Sequence, residues 1–250
     1  MYPNIPDISV SVDLGTTYTG VAWMTPNRPI QPISDWPGSG DRNERKVPTT
    51  LVYNADGTLS SWGFMCVDDE LEAGVLGGGK VRREFFKIFM EEDTLAGAQR
   101  QGLTSAPQTA FEAQQFVADF LRQVYAHIKE SIETAIGRRG IGNGWADLEV
   151  DFIFSVPTTW TSQSIINSFK KVIREAGFGI EGPRHSAQVD LTEAEAAAVA
   201  TLKTGPVRFG IGSVFLTVDA GGGTTDLALM QVTSSNMAVP QMASLHPSAV

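Results

Sequence analysis

One pattern occurs twice in this chain and constrains its fold more than any other feature. Apolar residues alternate up to an aspartate, a turn of glycine and threonine follows, and apolar residues resume. The first copy is Asp13-Leu14-Gly15-Thr16-Thr17 and the second is Asp219-Ala220-Gly221-Gly222-Gly223-Thr224-Thr225-Asp226. Alternation predicts a strand on each side of both turns. Two similar hairpins far apart indicate two similar lobes whose hairpin tips face each other.

The residue types at these tips suit a phosphate ligand. Glycines let the backbone approach a ligand closely, and successive amides in a tight turn form a concave anion site. An aspartate at the strand end can hold the water shell of Mg²⁺, which takes few protein carboxylates. Glycine turns also occur in hairpins that bind nothing, but the repeated aspartate and Thr-Thr favour a site. Neither turn is a Walker loop, because no Gly-Lys-Ser/Thr follows.

Strand and crossover-helix patterns between the hairpins predict an α/β fold. Residues 97–107 have the composition of a loop, and residues 233–250 show no clear pattern. The Thr192-x-x-Glu195 spacing is a capping box. The predicted elements are strands at 8–13, 20–24, 50–53, 148–156, 214–218 and 227–232, and helices at 108–136, from a Thr161 cap to Gly177, and from Thr192 to about Lys203.

Charge and composition exclude several classes of function. The net charge of −9 disfavours nucleic acid as a partner, although backbone amides and a metal can still hold a nucleotide. Cys66 is the single cysteine, and the three histidines are scattered, so a disulfide or zinc centre is not expected. No basic leader or long apolar run is found. We therefore expect a cytoplasmic or nuclear protein without a membrane partner.

Four landmarks resemble the seventy-kilodalton heat-shock chaperones. Asp13–Tyr18 and Asp219–Asp226 resemble their two phosphate loops, Ser155-Val156-Pro157 resembles the strand end before a crossover helix, and Thr192–Ala198 resembles their connecting helix. The resemblance implies the actin-like ATPase (ribonuclease H-like) fold. It places the first lobe at 1–207, with its core at 1–34 and 108–207 and an outer subdomain at about 35–107. The start of the second lobe then occupies 208–250.

The resemblance also implies ATP or ADP with Mg²⁺ in the cleft between the lobes. Asp13 and Asp219 would hold the metal through water, and Glu193 and Asp226 would position its water shell or the attacking water. The expected phosphate contacts are Asp13, Gly15, Thr16, Thr17 and Tyr18 from one lobe and Gly221, Gly222, Gly223 and Thr224 from the other.

The family places a lysine near the γ-phosphate, and no local motif fixes it here. Lys87 is the first choice because Phe85-Phe86-Lys87-Ile88-Phe89 would desolvate it, and Lys80 is the alternative. Either lysine could instead be solvated on the surface. Glu193 could likewise be only a first-turn glutamate favoured by the helix dipole.

Three functions follow as expectations. The first is ATP binding with slow hydrolysis in a chaperone-like protein, with unfolded clients or co-chaperones as further partners through segments that this chain lacks. The second is a non-enzymatic remnant or fragment with an interaction role, because the family's second lobe continues well beyond its second phosphate loop. The third is a small-molecule kinase, for which no acceptor aspartate is identified. Ala194, where the family has proline, indicates a divergent branch.

Overall fold

The first hairpin lies at the centre of a six-stranded sheet. The computed structural model describes residues 5–66, 79–103, 105–137, 144–205, 209–223, 225–234 and 241–249. The sheet order is β3-β2-β1-β8-β9, and β4 also pairs with β2. β1 is antiparallel to β2 and parallel to β8, and β8 is parallel to β9. These strands are β1 Ile8–Asp13, β2 Tyr18–Thr25, β3 Arg28–Pro32, β4 Lys46–Pro48, β8 Val150–Val156 and β9 His185–Thr192.

Two helices make the crossovers that parallel pairing requires. The helix α2, Ala110–Ile136, begins where the Thr109 side chain accepts from the Glu112 amide and ends before Gly137 at φ 76°. The helix α3, Gln163–Glu175, lies between β8 and β9. Its cap is Ser162, whose hydroxyl accepts from the Ser164 amide at 3.3 Å, so the predicted Thr161 cap is wrong by one residue.

The core of this part of the chain is aromatic and continuous. Phe152 and Phe154, on β8, contact Phe178 edge-on with ring centroids 5.0 Å apart in both pairs. The buried stripe of α2 packs against the same core, as its helical spacing predicts. Aromatic pairs in this geometry stabilise by about 0.5–1.5 kcal/mol beyond their area burial. The large sheet is therefore a rigid base for the hairpin tip.

Two three-stranded sheets complete the fold. The small one has the order β6-β5-β7, and the C-terminal one has the order β10-β11-β12. The helix α4, Glu193–Thr204, joins β9 to the C-terminal sheet and packs Ala194 and Ala198 against Ala228 and Met230. The strands are β5 Leu51–Tyr53, β6 Leu59–Trp62, β7 Val81–Arg83, β10 Val214–Ala220, β11 Thr225–Ser234 and β12 Gln241–Ala249.

The α/β class and the predicted strands and helices are confirmed, with three corrections. Residues 97–107 are not all loop, because α1, Glu92–Arg100, covers their start with two acids in its first turn and Arg100 in its last. The tail forms β12, which pairs with β11. Pairing with β2 and β5 adds β3, β4 and β6 to a region where only one strand was expected.

The predicted lobe boundary at 207 falls outside the described residues and stays a prediction. In the described part of the chain, no helix is long and apolar enough to span a membrane.

Candidate functional site

The two hairpin tips meet at one cleft of about 220 Å³. Asp13 ends β1 and Asp219 stands near the end of β10, and both carboxylates line the cleft. Gly223 lines a smaller neighbouring cavity, and Thr224 lies outside the described residues. The cleft is lined by Asp13, Gly15, Thr16, Thr17, Tyr18, Lys46, Lys87, Glu193, Asp219, Gly221, Gly222 and Asp226.

Loop one, Asp13–Tyr18, is shaped by a close backbone approach and by the segment after β4. A side chain at Gly15 would clash with the carbonyl oxygen of Tyr18, so only glycine fits there. The Thr49 hydroxyl donates to the Gly15 carbonyl at 2.9 Å, and the Thr49 amide donates to the Thr17 carbonyl at 2.8 Å. Thr49 thus fixes loop one from behind, leaving its inner side to the cleft.

Loop two, Asp219–Asp226, rests directly on loop one. A Cβ added to Gly222 would overlap the Thr17 side chain, and one added to Gly223 would lie 2.5 Å from Thr16 Cγ2. Glycine is therefore required here by close approach between the two tips, which the repeated turn led us to expect. The juxtaposition puts threonine hydroxyls of loop one beside the backbone of loop two.

Asp226 ties β11 to the end of β8. The Asp226 carboxylate is buried, and its Oδ1 accepts from the Thr158 amide at 3.1 Å and from the Thr158 hydroxyl at 2.5 Å. Hydrogen bonds to a charged acceptor are the strong ones. Sequence reasoning missed Thr158. The available signal was its place just after Ser155-Val156-Pro157, the strand end already singled out.

Lys87 is buried, not solvated. Its residue is 3% exposed, and its ammonium lies 2.5 Å from Glu193 Oε1 and 5.8 Å from the centre of the Trp160 ring. The surface alternative for Lys87 is therefore wrong. Lys80 is exposed and is not among the described residues that line the cleft, so Lys87 is the better placed of the two lysines.

Glu193 has a different role from Glu195 at the start of α4. Thr192 and Glu195 form the predicted capping box, which is confirmed. Glu193 instead points at the cleft. Burial raises the pKa of Glu193, the Lys87 ammonium lowers it, and the charges of Asp13 and Asp226 raise it again, so the net direction is upward. This carboxylate is held where added positive charge would stabilise its ionised form.

Lys46 is a cleft residue that sequence reasoning missed. Its ammonium lies 2.8 Å from Asp13 Oδ2, in a pair whose side chains are 53% and 42% exposed. Burial lowers the pKa of Lys46, but the hydrogen bond and charge of Asp13, with the charges of Asp219 and Glu193, outweigh it and raise that pKa. No motif marks this lysine, because it reaches the cleft only through the pairing of β4 with β2.

The carboxylates of the cleft suit a hydrated cation, held through its water molecules, better than a cation that they would coordinate directly. In the described residues, no group of three or more His, Cys, Asp or Glu side chains is arranged to hold a metal. Asp13 and Asp219 nevertheless line one cleft with Glu193 and Asp226. Mg²⁺ commonly takes one or two carboxylates plus waters and phosphate oxygens. The donor set therefore suits magnesium bound together with a phosphate ligand.

Solved structures resemble this fold at low sequence identity. MreB5 of Spiroplasma citri bound to ADP is 17% identical with a TM-score of 0.50, over 95% of this chain and 52% of that one. MreB 5 of the same organism bound to AMPPNP is 20% identical with a TM-score of 0.45, over 95% and 52%. A non-polymerising mutant of MamK bound to AMPPNP is 15% identical with a TM-score of 0.41, over 97% and 55%.

The chain spans about half the length of each of these proteins. Neither the protein-family models nor the curated proteins give a match. The likeness to MreB5 shows that the chain has the actin-like ATPase fold, as the resemblance of the two loops, the Ser155-Val156-Pro157 strand end and the Thr192–Ala198 helix implied. The chaperone branch of that fold stays a prediction.

Proposed function

We propose that this chain binds ATP or ADP with Mg²⁺ in the cleft between loop one and loop two. The observation that carries the proposal is the contact of Gly222 and Gly223 with Thr17 and Thr16 beside a cleft that both Asp13 and Asp219 line. The fold shared with MreB5, which was solved with ADP, supports the same ligand. Amides and hydroxyls of both tips would hold the phosphates.

The residues of the cleft also suit slow phosphoryl transfer to water. Phosphoryl transfer needs mostly positioning and charge neutralisation. Mg²⁺, when bound, would neutralise phosphate oxygens. Lys87 would supply a fixed positive charge, since its ammonium is desolvated and held by Glu193. Glu193 would orient a water molecule, because its carboxylate faces the cleft, and Asp226 would keep loop two in place through Thr158.

We further propose that the turnover is of the chaperone type, slow and directed to water. Both loops and the Thr192–Ala198 helix resemble those of the seventy-kilodalton heat-shock chaperones, and this resemblance supports the proposal. Clients and co-chaperones would then be its further partners. Release of inorganic phosphate from ATP, compared in the presence and absence of glycerol or glucose, separates hydrolysis from transfer to a small alcohol.

Isothermal titration calorimetry with ATP and ADP, in Mg²⁺ and in EDTA, tests the binding proposal. Wild-type chain should bind both nucleotides more tightly with Mg²⁺. Asp219→Ala should weaken binding in Mg²⁺ by about tenfold or more, since charged hydrogen bonds contribute about 1.5–3 kcal/mol. Asp41→Ala is the matched control, because Asp41 is exposed and does not line the cleft. No binding by a folded wild-type chain would overturn the proposal.

A further inference from the structure

Lys46 is placed in the cleft by a glycine on the neighbouring strand. Lys46 begins β4 and is paired with Gly20 of β2. A Cβ on Gly20 would lie 3.4 Å from both Cγ and Cε of Lys46, so the aliphatic stem of the lysine runs over the bare backbone of Gly20. Because Gly20 has no side chain, the Lys46 stem can lie against its backbone, and the Lys46 ammonium lies beside Asp13 at the end of β1.

The two lysines of the cleft are held in opposite ways. Lys87 is 3% exposed and is fixed between Glu193 and Trp160. The Lys46 side chain is 53% exposed, and the hydrogen bond that the structure gives it is to Asp13. An exposed ion pair of this kind contributes only about 0–1 kcal/mol to stability. Lys46 can therefore leave Asp13 at small cost, whereas separating Lys87 from Glu193 would leave buried charges unpaired and is far more costly.

Asp13 is also one of the two carboxylates placed to hold the water shell of Mg²⁺. One Asp13 oxygen already accepts from the Lys46 ammonium. A single ammonium and a hydrated divalent cation both neutralise this carboxylate, so they compete for it. A lysine released from Asp13 would remain next to loop one, where the phosphates of a nucleotide are proposed to lie, and lysine binds phosphate as a mobile point charge.

We propose that Lys46 is an exchangeable cation of the phosphate cleft, which neutralises Asp13 in the empty site and binds nucleotide phosphate when metal is absent. Mg²⁺ then displaces Lys46 from Asp13 as it binds with the nucleotide. The proposal rests on the nucleotide-binding function given above. It assigns to Lys46 two effects of opposite sign, support of metal-free binding and competition with the metal.

Calorimetric titration of ADP into Lys46→Met separates these effects. Methionine keeps an aliphatic stem over Gly20 and removes the charge. In EDTA, Lys46→Met should bind ADP about tenfold more weakly than wild type, the loss of one charge-assisted contact. In a Mg²⁺ titration at fixed ADP, it should reach half-maximal binding at a lower Mg²⁺ concentration than wild type. Lys46→Arg should retain metal-free binding, because it keeps the charge.

Lys171→Met is the matched control. Lys171 is 66% exposed on α3 and pairs with Glu175, so this variant should match wild type in both conditions. Circular dichroism and thermal melting of all three variants establish that each chain is folded. If Lys46→Met instead fails to fold, Lys46→Gln, which also removes the charge, takes its place in the same two titrations. Weaker ADP binding in EDTA together with half-maximal binding at a lower Mg²⁺ concentration supports the proposal, and unchanged ADP binding in EDTA overturns it.

The remaining outcomes separate the two proposals. Equal weakening of Lys46→Met with and without Mg²⁺, or no change in either condition, overturns the exchange while leaving nucleotide binding intact. Wild-type binding in Mg²⁺ but none in EDTA also overturns only the exchange. A folded wild-type chain that binds ADP in neither condition overturns both.

Discussion

The two hairpins carry similar turns but are packed very differently. In β1, Val10 and Val12 are at most 1% exposed, because β2 and β8 flank the strand and the aromatic core covers it. In β10, Leu216 and Val218 are 56% and 57% exposed, and the strand pairs only with β11 among the described residues. The two chain segments nevertheless bring their aspartates to one cleft. The turn chemistry therefore does not depend on how deeply its strands are buried.

The difference implies that the halves of the cleft have unequal rigidity. Loop one is part of a sheet with a continuous core and is pinned by Thr49. Loop two depends on a small alanine-rich contact with α4, on the Thr158–Asp226 hydrogen bonds and on contact with loop one. Segments with few buried apolar contacts open at lower free energy than core segments. We expect the C-terminal sheet to be the adjustable half.

The largest predicted effect comes from making the same leucine-to-alanine change in the buried core and on the exposed strand β10. Leu121→Ala, at a 0% exposed core position, should lower the free energy of unfolding by about 2–5 kcal/mol. Leu216→Ala, at a 56% exposed position of β10, should change it by less than about 0.5 kcal/mol. Urea unfolding of the two variants measures both values. Equal losses would contradict the contrast between the core that α2 forms with the large sheet and the exposed strand β10.

The next prediction breaks the contact between the loops. Gly222→Ala places a methyl group into the Thr17 side chain, so the tips must separate. We expect MgATP affinity to fall by about tenfold or more, while the free energy of unfolding changes by less than about 1 kcal/mol. Gly210→Ala is the control, because nothing lies within 4 Å of a Cβ there. Unchanged affinity in Gly222→Ala would show that the tips need not touch for binding.

A smaller effect is expected from the tie between β8 and β11. Thr158→Val removes the hydroxyl that donates to the buried Asp226 carboxylate. The hydrogen bond from the backbone amide of residue 158, 3.1 Å long, remains. The substitution should lower the free energy of opening the C-terminal sheet by about 1–3 kcal/mol and leave the large sheet unchanged. Hydrogen exchange of β10 and β11 amides should accelerate, while β1 and β8 amides keep their protection. Acceleration in both sheets alike would show that the two halves open together.

The smallest effect concerns the pH dependence of the large-sheet half. Burial lowers the pKa of His127 below its ordinary value of 6.5, although Asp35 and Glu130 raise it. A lowered folded-state pKa gives stability that is present above pH 6.5 and is lost as the pH falls further. Melting temperature should therefore decline more between pH 7.5 and 5.5 in wild type than in His127→Gln. Parallel slopes would contradict this account.

The features of the site that could be predicted from the sequence are those that depend on residues close together in the chain. The glycine turns, the strand-end aspartates and the Thr192–Glu195 cap each depend on neighbours within a few residues. The burial of Lys87 was predicted from its apolar flanks and is confirmed. Lys46 and Thr158 were missed because their partners, Asp13 and Asp226, lie 33 and 68 residues away in the chain. Such contacts are created by strand pairing and by the meeting of the loops.

The fold followed the same division between local and long-range information. Periodicity predicted α2 and β1, whose buried faces repeat at regular spacing, and a short apolar run before Pro157 predicted β8. It did not predict β12, which is defined by its pairing with β11, or α1, whose buried contact is the single residue Leu95. The Thr161 cap was wrong because Ser162 offers an equivalent hydroxyl one residue later.

The most direct test of the central claim is hydrogen exchange of both loops as MgADP is added. If the phosphates lie between the tips, amides of Gly15–Tyr18 and of Gly221–Gly223 should become protected together and at the same ADP concentration. The change should be larger in loop two, the more adjustable half. Protection of loop one alone, or of neither loop at saturating ADP, would contradict a cleft built from both hairpins.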